Sequence, residues 1–218
     1  MDYSSRTSKD PETGRYKNVD GNITYEEWVN SLSPKKKKAL ELARLKNERK
    51  TSDKLQYAKY KKVLGSKVIP KSFDNFQELK YTNTEKWNFI KLDYSRQNRL
   101  LQNPMLALPN VDKATVDDRK FTEYLFGGKH ENGLAKDQAF TSRLGYDIEN
   151  YAELKKEILS KTDRYTATHK GKNNYGDLYE QKMVLYGNKN SPANVIVSWC
   201  SSENSTWLTS TYIKELKQ

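Results

Sequence analysis

The chain has 218 residues, of which 35% are hydrophobic and 31% charged, and its formal net charge is +11. No run of about 18 apolar residues occurs, which excludes a membrane-spanning helix, and the single cysteine excludes a disulfide-stapled scaffold. The 4 Trp, 15 Tyr and 6 Phe nevertheless supply material for a core, so the chain is not read as disordered.

In chain order, residues 1–22 are polar and rich in turn formers (Asp10-Pro11, Thr13-Gly14, Asp20-Gly21), and no signal peptide is expected from Met1 to Arg6. Thr24-Tyr25-Glu26-Glu27 has the capping-box pattern and predicts a short helix to Leu32. Tyr16 to Glu27 partly mimics a calcium loop, but its first ligand position carries Tyr16 where a carboxylate is required, so a turn into a capped helix is the simpler reading. Ser33-Pro34 predicts a second helix that opens on Lys35 to Lys38, a solvated face or phosphate contact. Further helices are predicted over 54–64, 72–79 and 84–101, and Asn103-Pro104 and Leu108-Pro109-Asn110 make a hinge.

Charge divides the chain at that hinge. Residues 1–110 hold 23 Lys and Arg against 13 Asp and Glu, a net of +10, whereas residues 111–218 hold 16 against 15, a net of +1. We therefore expect a basic, mostly helical arm over 1–110 and a separate domain over 111–218. In the latter, helices are predicted over 117–126 (ended by Gly127-Gly128), 134–144 and 150–159. Strands rich in β-branched and aromatic residues follow over 164–168, 179–186, 194–200 and 206–213. The expected class is α+β: about three helices packed on a four-stranded antiparallel sheet, behind a basic helical region. Simple alternation in the last strand puts Thr209, Thr211 and Ile213 on one face and Leu208, Ser210 and Tyr212 on the other.

Nucleotide-binding glycine loops and the serine-hydrolase elbow are absent, and the two histidines, His130 and His169, lack metal-ligand spacing. Cys200 lies in an apolar run and reads as a buried small hydrophobe. His130 sits in the polar loop Gly127 to Gly133 with Lys136 six residues on. An imidazole with a nearby ammonium suits acid–base work on a phosphodiester, the first moving protons near neutral pH and the second balancing charge on the phosphorane.

Several segments over about 117–214 together resemble a toxin domain. They are Tyr124-Leu125-Phe126, Lys129-His130-Glu131, Lys136 to Phe140, Leu144-Gly145-Tyr146, Tyr175 to Tyr179, Ile196 to Trp199 and Leu208 to Ile213. The resemblance is to the barnase/EndoU/colicin/RelE-like (BECR) ribonucleases of polymorphic and phage-borne toxins. It implies a metal-independent RNA-cleaving domain without cofactor, with His130, Lys136, Ser210 and Tyr212 at the catalytic positions. Two departures stand out: Glu131 replaces a proline, and Ser210 replaces a threonine but keeps the hydroxyl. Lys129, Arg143, Tyr175, Tyr179, Trp199 and Thr209 are the candidate RNA contacts. The implied partners are RNA (tRNA among the options) and an acidic immunity protein.

In the first half, Asn22 to Trp28, Tyr57 to Leu64 and Phe73 to Tyr81 resemble the tail of phage minor head (head-morphogenesis) proteins, which adds capsid or portal proteins as partners. The implied setting is the host cytoplasm or the virion. The alternative function is a catalytically inactive virion structural or interaction protein that binds nucleic acid, capsid or portal through its basic half.

Overall fold

The computed structural model describes residues 7–9, 16–18, 25–128, 131–189 and 191–216. Compactness divides the chain into two units, Met1–Leu55 and Gln56–Gln218.

In the first unit β1 (Thr7–Lys9) pairs antiparallel with β2 (Tyr16–Asn18), and α1 (Tyr25–Ser31) and α2 (Pro34–Glu48) follow. Ser33 caps α2 by accepting from the Lys36 N–H at 3.4 Å, with Pro34 at the first helical position as the sequence predicts. Neither helix has a buried residue, which fits their thin apolar stripes. Of the calcium-like segment, residues 19–24 lie outside the described residues, as does the Thr24 cap.

Helix α3 (Lys50–Leu64) passes from the first unit into the second. Its Tyr60 and Leu64 pack with Ile69, with Phe76 of α4 (Phe73–Thr82) and with Trp87 and Ile90 of α5 (Thr84–Gln102). Tyr60 stacks on Tyr94 at 4.1 Å and on Trp87 at 5.6 Å, so aromatic rings rather than long aliphatic stripes hold this cluster.

The rest of the second unit is α+β. In sequence it holds β3 (Ala114–Thr115), a π-helical turn at Lys120–Leu125, α6 (Glu131–Arg143), α7 (Tyr151–Leu159), β4 (Ala167–Asn173), β5 (Gly176–Leu185), β6 (Ala193–Ser201) and β7 (Thr206–Ile213). The sheet order is β3-β7-β6-β5-β4. The four expected antiparallel strands are present, and β3 adds a fifth that pairs parallel to β7 through Ala114↔Thr206 and Thr115↔Trp207. Val195, Val197 and Trp199 of β6 share one core with Met183, Leu208, Phe121, Phe140, Leu154 and Ile158, so the π-turn, α6 and α7 cover one face of the sheet. Gly127 ends the π-turn because a Cβ there would lie 2.5 Å from the carbonyls of Thr122 and Glu123.

Two elements differ from expectation. The first strand, expected over 164–168, runs over 167–173, because Thr162–Arg164 forms a 3-10 turn in which the Thr162 hydroxyl donates to the Ile158 carbonyl at 3.0 Å. Between the first two expected strands, the chain pairs up to Asn173 and Gly176 and leaves a two-residue hairpin turn, held by Asn173 Oδ1, which accepts from the N–H groups of Tyr175 (2.8 Å) and Gly176 (3.1 Å).

Candidate functional site

Of the four residues expected at the catalytic positions, Lys136 falls on α6 and Ser210 and Tyr212 on β7, while His130, like Lys129, lies outside the described residues. The course of β7 decides which side chains face together. Ser198 pairs with Ser210 and Trp199 with Leu208, so Thr209 is an extra residue, a β-bulge. Directly opposed residues share a face. Leu208, Thr211 and Ile213 therefore stand opposite Trp199, Val197 and Val195 on the core side, while Trp207, Ser210 and Tyr212 stand on the other. This corrects the simple alternation: the bulge moves Leu208 to the core side, and Ser210 and Tyr212 keep company without it. Thr209 itself belongs to neither run.

Lys136 is half-buried on α6, and its Nζ lies 5.8 Å from the centroid of the Tyr212 ring. That separation is within the range of an ammonium attracted to the negative face of an aromatic ring. The fold thus brings Lys136 to Tyr212, and Tyr212 to the face that carries Ser210. The same face holds Ser198 opposite Ser210, Glu180 opposite Ser198 and Lys182 opposite Ile196, none of which the sequence reading singled out. All of these except Ile196 keep solvent access. Alternation along β5 contained the signal for Glu180 and Lys182, but only the register shows that they join Ser210. The arrangement offers an ammonium, hydroxyls and a carboxylate on one accessible surface, the groups that anion binding and proton transfer require.

The candidate RNA contacts separate into three kinds. Tyr175 is 76% exposed at the β4–β5 turn, and Tyr179 is half-buried beside it. Arg143 is occupied within the fold: its Nε donates to the Pro192 carbonyl at 3.1 Å, its Nη2 pairs with Glu85, and the guanidinium lies over Phe89. Trp199 has no exposed surface, and its indole N–H donates to Gln181 Oε1 at 3.0 Å, so as a stacking platform for RNA it is corrected to a core residue. Cys200 is buried as expected, and burial together with the Asp177 charge pushes its thiol up, away from the reactive thiolate.

His169, the second histidine, is held across the hairpin, with Nε2 3.0 Å from Asp177 Oδ1 and its ring edge-on to Tyr179 at 5.3 Å. Asp177 was not visible as its partner until the turn was known to be two residues long. Among the described residues no group of three or more His, Cys, Asp or Glu is arranged to hold a metal ion, and no helix is long and apolar enough to cross a membrane.

Fold and site together define a small α+β domain whose sheet carries a polar, cation-bearing face across β5, β6 and β7. Residues 107–215 match the family described as a domain of unknown function (DUF6883), and the chain belongs to that family. A chain in the solved contact-dependent growth inhibition toxin–immunity protein complex from Klebsiella pneumoniae 342 is 20% identical, with 50% of this chain and 99% of that chain covered at a TM-score of 0.40. No curated protein matches the chain.

Proposed function

We propose that residues 111–218 form a metal-independent RNA-cleaving toxin domain, carried behind a basic helical region of the phage minor-head type over 1–110. The observation that supports this most is the Lys136 ammonium over the Tyr212 ring on the strand that also carries Ser210. It puts Lys136 beside Tyr212, and Ser210 is two residues from Tyr212 on the same strand, as three of the four positions implied by the BECR resemblance would need.

In the reaction the RNA 2′-oxygen attacks phosphorus, the bond to the 5′-oxygen breaks, and a 2′,3′-cyclic phosphate and a 5′-hydroxyl result. His130 is the proton carrier, as general base toward the 2′-hydroxyl or general acid toward the 5′-oxygen. Lys136 stabilises the charge that develops on the phosphorane, and Ser210 and Tyr212 position the phosphate and assist proton transfer. A toxin domain that presents Lys136 and Lys182 around this face fits an acidic immunity protein as partner, since opposite potentials give fast and specific association. The proposed setting is the cytoplasm of a host bacterium or the virion.

The test is cleavage of labelled total RNA in excess chelator by the wild type, His130→Ala and Lys136→Ala. Discrete fragments ending in a cyclic phosphate are expected from the wild type. Loss of the proton carrier should slow the reaction by about 10²–10⁴-fold, and loss of the ammonium by about 10²–10³-fold. Intact RNA with folded wild-type protein, or cleavage unchanged in both variants, overturns the proposal.

A further inference from the structure

A second site lies at the other end of the strands. A cavity of about 390 Å³ opens beside the β4–β5 turn, lined among others by Lys172, Tyr175, Asp177, Tyr179, Ser201 and Glu203. Asp177 pairs with Ser201, and Lys182 with Ile196 opposite Tyr212. Those two rows are five residues apart, or about 17 Å at roughly 3.4 Å per residue. The cavity is therefore distinct from the place where Lys136 meets Tyr212.

The backbone of this surface turn is fastened at several points. Asn173 Oδ1 fixes both Tyr175 and Gly176 through their N–H groups, and at Gly176 a Cβ would lie 2.3 Å from the Ser201 carbonyl oxygen, so the turn is pressed against β6. This braced turn leaves the Tyr175 ring 76% exposed. A ring carried on a backbone that is already fixed binds a flat partner at the cost of its own side-chain freedom alone. The polar lining is acidic. Asp177 gives Oδ1 to His169, Glu203 is exposed, and both carboxylates accept hydrogen bonds but repel phosphate. Lys172 is the cation at this cavity. An aromatic face, carboxylate acceptors and one cation fit a nucleobase with an amino edge, its own phosphate lying toward Lys172.

We infer that this cavity holds one unpaired base of an RNA strand, stacked on Tyr175 and chosen for an exocyclic amine that Asp177 and Glu203 accept. The inference rests on the reading of this domain as RNA-acting, and it places base selection away from the reacting bond. Cytosine and uracil are the discriminating pair. They are alike in size, but cytosine presents an amino donor where uracil presents a carbonyl acceptor.

The test is binding of the full chain to fluorescent 2′-O-methyl oligocytidine and oligouridine. Neither can be cleaved by 2′-oxygen attack, so binding is read independently of catalysis. Oligocytidine should bind several-fold more tightly. Tyr175→Ala should weaken both by about fivefold to a hundredfold, the range of one lost stacking contact. Glu203→Gln and Asp177→Asn should each shrink the cytosine preference while circular dichroism shows the fold intact. Equal binding of the two oligomers, binding of neither, or Tyr175→Ala binding like the wild type overturns the inference. Expected binding without RNA cleavage would sink the ribonuclease reading alone, and cleavage with no cytosine preference would sink the subsite alone.

Discussion

At the scale of single residues, the buried polar network around Gln181 shows how a strand side chain is committed to structure. Gln181 has no exposed surface, donates through Nε2 to the carbonyls of Thr162 (2.9 Å) and Tyr165 (2.7 Å), and accepts from Trp199 Nε1 at 3.0 Å. It thereby ties the chain entering β4 to the centre of the sheet. Trp199→Phe would keep an aromatic ring but leave Gln181 Oε1 without its donor. An unpaired buried acceptor costs about 1–3 kcal/mol, so the urea midpoint should fall with the m-value unchanged, while affinity for RNA measured well below the transition should not move. A loss of RNA affinity in the folded variant would restore Trp199 as an RNA contact. In the sequence, Trp199 is one aromatic among β-branched neighbours, and an exposed or a buried ring fits that pattern equally well. Only the opposite strand supplies the partner that decides.

At the scale of elements, the clearest case is the attachment of α5 to the sheet. Asp93 is fully buried and accepts from Tyr165 Oη (2.5 Å), Gln97 Nε2 (2.8 Å) and Tyr186 Oη (2.9 Å), while Arg96 donates to Asn194 Oδ1 at 2.8 Å. Burial raises the Asp93 carboxyl above its ordinary range, and the Lys161 cation and the three donors only partly offset it. The folded chain then holds this proton more tightly than the unfolded chain does. The contribution of Asp93 to stability is greatest below the ordinary aspartate range and is lost as pH rises through the raised value. Asp93→Asn removes the titration. The stability of the wild type relative to this variant should therefore fall as pH rises above the ordinary aspartate value of about 4, by at most about 1.4 kcal/mol per pH unit, and level off once the raised value is passed. Parallel pH profiles from urea unfolding would show that Asp93 carries no such linkage. Helix α5 was legible from its Thr84-Glu85 start and its apolar spacing, as were β6 and β7 from their composition. Its attachment was not, because Asp93, Tyr165 and Tyr186 are far apart in sequence and a polar residue in a helix reads as solvent-facing. For the same reason the Thr209 bulge was invisible: alternation assumes an unbroken ladder, and one inserted residue moved Leu208 to the core side without altering the strand's composition.

At the scale of the whole molecule, the +10 charge of residues 1–110 has a local energetic signature at α2. Lys35 to Lys38 crowd the first turns of this helix, with no acidic residue in the first turn. Positive charge at a helix N-terminus opposes the macrodipole, each exposed cation costing about 0.3–1 kcal/mol at low salt. The sequence leaves this run as a solvated face or a phosphate contact; on the proposed reading the four lysines contact the RNA backbone. Replacing Lys35 to Lys38 with glutamine gives two readouts that should move in opposite directions. Thermal stability should rise slightly at low salt, because the unfavourable charges are gone. RNA affinity should fall, and the slope of log K against log salt should become shallower by up to about 3 for single-stranded RNA if all four lysines contact phosphate. A stability gain with an unchanged salt slope would leave the four lysines as a solvated face and move the search for the phosphate contacts to the lysines of α3 or to Lys136 and its neighbours.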